Sequence, residues 1–208
     1  MTPRQLSRHL RTDRYGDFRL TDAIRPAPKQ FVVPVEGYRR ETYRGRAGLR
    51  IPALAAAVSA ERVFDTFLAL LDPLGDVLDV VLETSHMSGG DRHRDLRRWS
   101  IDRPVLASYF CEYEELLLND GCTGVAVIAT DGPMELQFDE HKQLVCYAHD
   151  LKPFQAVLRS AGVPFVPDLR LISEGAHLHH SRPAFACEFH DLALRLGVGT
   201  DSVLNAER

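Results

Sequence analysis

The stretch that decides the fold is Gly124-Val125-Ala126-Val127-Ile128-Ala129-Thr130, Asp131-Gly132-Pro133, Met134-Glu135-Leu136-Gln137-Phe138-Asp139. The first seven residues are mostly small and apolar and read as a strand. Asp131-Gly132-Pro133 is turn chemistry. Met134, Leu136 and Phe138 then alternate with Glu135, Gln137 and Asp139, the period of a strand with one wet face. A second turn at Asp139 to Lys142 leads into Leu144 to Ala148. Turns this short force antiparallel neighbours, so the segment predicts a three-strand meander.

Helical periodicity brackets the meander. Ser59 is positioned to cap a helix carrying Val63, Phe64, Phe67, Leu70 and Leu71 on one face, stopped at Asp72-Pro73-Leu74-Gly75. Val77 to Glu83 follows as a strand, and Ser85 to Ser100 reads as a polar loop ending in an anchoring Trp99. Asp102-Arg103-Pro104 opens a second helix with the stripe Leu106, Tyr109, Phe110, Tyr113, Leu116 and Leu117. After the meander come a helix from Asp150 to Gly162, a strand from Leu169 to Glu174, and a helix opened by Ser181-Arg182-Pro183. The order strand, helix, three-strand meander, helix, strand, helix predicts an α+β fold with a mainly antiparallel sheet. A ferredoxin-like split plan with an extra strand is compatible with it. The organisation expected is a basic arm or small hairpin extension over 1–50, a core domain over 51–199 and a tail over 200–208.

Charge supports that division. The first fifty residues hold twelve Lys and Arg against five Asp and Glu, and the remainder holds thirteen against twenty-four. Opposed blocks attract, so the arm is expected to lie on acidic parts of its own chain or of a second copy. Arg39, Arg40, Arg44 and Arg46, interleaved with Tyr43, form the candidate partner-binding arm. The same Arg and Tyr pattern carries a lesser reading as a nucleic-acid contact, which the overall pI of about 6.1 disfavours. No apolar run approaches the roughly 20 residues of a membrane span, so no membrane partner is expected. The Arg-rich start lacks the apolar core of a secretory signal, which makes a cytoplasmic location the expectation. Four cysteines with no CxxC pair read as small buried side chains rather than as disulfides.

Two clusters carry chemistry. Glu174, His177, His179 and His180, with His190 on the following helix, supply ligand types for a divalent transition metal, and His177 and His179 share a face if the chain is extended. Arg92, Arg94, Arg97 and Arg98, in the loop after Gly89-Gly90, offer an anion cradle before a helix start. No phosphate-loop, dinucleotide-binding, nucleophile-elbow or Ca²⁺-loop pattern is present. The leading functional expectation is a non-catalytic binding or regulatory module acting through protein contacts, with self-association as a homodimer. Its alternative is a metal-dependent enzyme, hydrolytic in kind, centred on the histidines of 177–190.

Overall fold

The computed structural model describes residues 2–29, 31–45, 48–86 and 94–198. Its centre is one antiparallel sheet of seven strands, in the order β4-β5-β10-β9-β8-β6-β7. These are β4 (Gly37–Arg44), β5 (Arg50–Ala57), β6 (Val77–Thr84), β7 (Arg94–Asp102), β8 (Thr123–Ala129), β9 (Glu135–Phe138) and β10 (Leu144–Tyr147). Two small sheets accompany it. One pairs β1 (Arg14–Tyr15) with β2 (Phe18–Arg19), and the other pairs β3 (Ile24–Pro26) with β11 (His177–His179). The helices are α1 (Pro3–Leu10), α2 (Val63–Ala69), α3 (Arg103–Glu112), α4 (Glu114–Asn119), α5 (Lys152–Ser160) and α6 (Pro183–Arg195). No helix among the described residues is long and apolar enough to cross a membrane.

The meander forms as its pattern requires, with Val127 opposite Leu136 and Leu136 opposite Cys146. Leu136, Phe138, Leu144 and Cys146 all point into the main core, where they meet α2, α3, α5 and α6. Phe67 of α2 lies 5.0 Å from the Phe138 ring and 5.2 Å from that of Phe110, so three aromatic side chains join helix to sheet at its middle. Such pairs add roughly 0.5–1.5 kcal/mol each beyond their buried area. The second helix expected from the sequence is two, α3 and α4, broken at Tyr113, whose hydroxyl donates to Asp191 on α6.

The sheet is wider than the sequence pattern indicated. β7 occupies much of the expected Ser85 to Ser100 loop and pairs with β6 from Val77–Asp102 to Thr84–Arg94. It is an edge strand, and natural edges are charged, which hides their alternation. Trp99 is 60% exposed on it and anchors nothing to the core. β5 was also unread. Leu54 and Ala56 join the helix-side core, while Ala55 and Ala57 pack against Phe18, Leu20, Ile24, Leu169, Leu171 and Ile172 on the other face. Alanines suit a strand so closely covered on both sides, although they lower its apparent β-propensity.

The division drawn at residue 50 falls within the β4–β5 hairpin, which pairs Gly37 with Ala57 through to Arg44 with Arg50. Leu169 to Glu174 is not a strand, for its last three residues make a 3-10 turn over buried Ile172. All four cysteines are free, but only Cys146 is fully buried, and Cys111 and Cys187 are exposed. The tail residues 200–208 lie outside the described residues.

Candidate metal centre

Three histidines converge at one end of the sheet. His141 comes from the β9–β10 turn, and His177 and His179 come from one face of β11. Their ring centroids form a nearly equilateral triangle, with separations of 4.8, 4.9 and 5.1 Å. One ligand atom from each lies within 4.8 Å of the others. His141 and His177 are half-buried and His179 is exposed, so the cluster is open to solvent on one side.

Each ring is held by its Nδ1. His141 Nδ1 is 2.9 Å from Asp139 Oδ2, His177 Nδ1 is 2.8 Å from the Gly175 carbonyl, and His179 Nδ1 is 2.8 Å from the Gly121 carbonyl. A carboxylate and two carbonyls can only accept, so all three Nδ1 atoms must carry the hydrogen. In the neutral rings the three Nε2 lone pairs are then left for a ligand. This is the arrangement in which metal-bound histidines occur, the second nitrogen donating to a carbonyl or carboxylate that fixes tautomer and orientation.

The local sequence explains the placement. Asp139 organises the β9–β10 turn by accepting the backbone N–H groups of His141 at 3.0 Å and Gln143 at 2.8 Å, and Lys142 takes a left-handed φ of 60°. The turn thereby aims His141 at β11. On the other side, β11 is fixed by its pairing with β3 and by the Gly121 N–H, which donates to the His180 carbonyl at 2.7 Å. Both glycines whose carbonyls receive a ring lie too close to other backbone for a side chain. A Cβ at Gly121 would stand 2.4 Å from the Ala23 carbonyl oxygen, and one at Gly175 would stand 2.7 Å from the Val32 nitrogen.

The charges around the rings differ. Burial holds the His179 imidazole below its ordinary value, with the neighbouring rings His141 and His177 adding to the effect. Burial acts in the same direction on His141, but the hydrogen bond and charge of Asp139 outweigh it and hold that ring above its ordinary value. His179 is therefore poised as a neutral donor, and His141 as a more basic one. Glu83 on β6 is pushed up by burial, with Asp95, Glu135, Asp139 and Glu140 contributing.

A second cluster adjoins the first along the chain. Asp120 is fully buried and its carboxylate accepts His86 Nε2 at 2.6 Å, the Thr123 hydroxyl at 2.5 Å and the Cys122 N–H at 3.3 Å. His86, Asp120 and Cys122 also bring ligand atoms within 4.8 Å. Asp120 is already saturated by donors, so this cluster is better suited to anchoring the 120–123 segment, and with it the Gly121 carbonyl, than to taking an ion.

Of the residues expected from sequence, the fold brings His177 and His179 together, whereas His180, just past the end of β11, lines a cleft with Arg25 and Arg182. Glu174 is drawn away by Arg39, which donates to its two oxygens at 2.6 and 3.1 Å. His190 is exposed on α6 and is not in the cluster. His141 was missed. Its only signal was a histidine two residues after Asp139 in a tight turn, and nothing in the sequence tied that turn to β11.

The arginine sites also resolve differently. Arg94, Arg97 and Arg98 lie on β7 rather than in a loop; Arg97 sits opposite Val81 and Arg98 opposite Val80, so these two face opposite sides of the sheet and form no cradle. Arg92 and Arg46 lie outside the described residues. In the arm, Arg39 binds Glu41, Glu174 and the Leu169 carbonyl, Arg40 reaches Gln155 at 3.0 Å, and Tyr43 meets Tyr147 edge-on at 5.7 Å. Arg44 is exposed at the end of β4. These residues are built into a sheet edge.

These features define an α+β protein, seven strands under a helical layer, with a three-histidine cluster at the sheet's end. Compared with known proteins, the chain matches no protein family, no curated protein and no solved structure.

Proposed function

We propose that the chain is a metal-dependent enzyme of hydrolytic type, with one Zn²⁺-class ion held by His141, His177 and His179. The observation that carries the reading is that all three Nδ1 atoms are committed to acceptors while the rings converge. Three imidazoles suit zinc, and a three-ligand zinc site leaves a fourth position for water. Bound water at such a centre ionises near pH 7 and becomes a nucleophile toward a carbonyl or phosphoryl group. The neutral ligand set leaves the ion its full positive charge, which favours that ionisation.

The test is metal content and activity together. Purified protein should take up one Zn²⁺ or Co²⁺ per chain, with tetrahedral Co²⁺ absorption, and hydrolyse an activated ester only when loaded. His141→Ala should lose both properties, and His190→Ala neither. Equal uptake by His141→Ala would end the reading.

A second reading, a module working through protein contacts, is favoured by one observation: edge strand β7 carries Trp99 60% exposed. Sedimentation of the protein and of Trp99→Ser tests self-association through that edge. Identical monomer mass for both removes it.

A further inference from the structure

A partly open pocket lies between the sheet and the layer formed by the N-terminal segment. It is lined by apolar side chains, among them Phe18, Leu20, Ile24, Val58 and Ile172, and it adjoins His141. Two polar side chains at its wall are buried and lack a partner. Gln143 is 3% exposed and Thr21 is 8% exposed, and neither Gln143 Nε2 nor Thr21 Oγ1 makes a hydrogen bond. The Gln143 amide is held in place from outside the cavity, because Ser173 Oγ donates to its Oε1 at 3.0 Å. The amide N–H₂ is thereby left over.

Buried orphan donors are rare because each costs about 1–3 kcal/mol. Two at one cavity mark a place for a ligand. The lining supplies its chemistry. Arg19, Arg170, His141 and the buried Lys142, whose Nζ donates to the Thr123 carbonyl at 2.7 Å, belong to the wall, and no Asp or Glu does. Arg19 is bonded to Asp13, which offsets part of its charge.

We propose that this cavity is a binding site for the head of a small carboxylate, whose oxygens take the Gln143 Nε2 hydrogens and the Thr21 hydroxyl. The apolar walls limit water at the bond, and Lys142 with the two arginines sets a positive field. The inference does not depend on the metal reading, since none of the invoked contacts involves the His141, His177 and His179 side chains.

The experiment titrates formate, acetate and acetamide into the protein in the presence of a chelator, following the Gln143 side-chain amide by ¹⁵N NMR. A ligand with so few heavy atoms is held at about millimolar affinity or weaker. Formate should shift the Gln143 amide saturably and more tightly than acetamide. Gln143→Met, which keeps the volume but lacks the donor, should weaken formate about tenfold. Thr21→Val should weaken it in the same direction, and it carries the test if Gln143→Met does not fold. An amide that does not respond to formate, or variants that bind formate as the parent does, would mean that the cavity holds water alone and would overturn the proposal. Acetamide binding as tightly as formate would overturn the assignment to carboxylates. Repeating the titration with Zn²⁺ present keeps the two readings apart, because metal uptake is read separately.

Discussion

The Gly121 carbonyl accepts the Nδ1 hydrogen of His179 at 2.8 Å across 58 residues of sequence. Gly121 can approach that closely because it has no side chain. A Cβ there would lie 2.4 Å from the Ala23 carbonyl oxygen and 2.8 Å from that of His180. Gly121→Ala is expected to destabilise the fold by about 1–3 kcal/mol, the usual cost of overpacking. It should also weaken Zn²⁺ binding by displacing the His179 ring. Urea melts and a zinc titration check the two effects, and a neutral melt would mean that the β3–β11 pair is looser than described.

Asp139 makes the corresponding contact to His141. Asp139→Asn keeps the size but removes the charge that raises the His141 ring. Partners of metal-bound histidines are commonly worth about 10–100-fold in affinity. A loss in that range is expected in competition with a chromophoric chelator, with secondary structure unchanged by circular dichroism. Unaltered affinity would show that His141 does not ligate.

Glu174 is expected to matter for acid stability and not for metal. Its hydrogen bond to Arg39 holds the carboxyl below its ordinary value, outweighing burial. A lowered folded-state value means that the stabilisation is present above the unfolded value near pH 4.3 and is lost as pH falls through the folded one. The carboxylate is partly exposed, so the gain at neutral pH is only about 0–1 kcal/mol. Glu174→Gln should flatten the acid limb of a stability-against-pH curve and leave zinc stoichiometry alone. Loss of zinc in that variant would return Glu174 to the ligand set.

Phe110 and Phe138 are buried to within 1% and both touch Phe67. Phe110→Ala and Phe138→Ala should each cost about 3–5 kcal/mol. Because both contact the same ring, the double variant should fall short of the sum. Chemical denaturation of the four proteins in the cycle measures this, and full additivity would place the two rings in independent environments.

The sequence by itself determined the elements whose burial pattern is local. The meander from Thr123 to Tyr147 and the buried faces of α2, α3, α5 and α6 were legible because alternation and the 3.6-residue period report which side of each element is dry. The mainly antiparallel α+β class followed from the short turns. What stayed hidden was non-local. β5 is written in alanine because Phe18 and Leu20 cover one face and the helices the other, and β7 is written in charge because it lies at an edge. The histidine cluster shows the same limit. His177 and His179 share a face through strand alternation, which sequence contains. Their junction with His141, the turning away of His180 and the capture of Glu174 by Arg39 were settled by β11 pairing with β3 and by backbone packed on Gly121 and Gly175. Those contacts join residues far apart in the chain, and no local spacing encodes them.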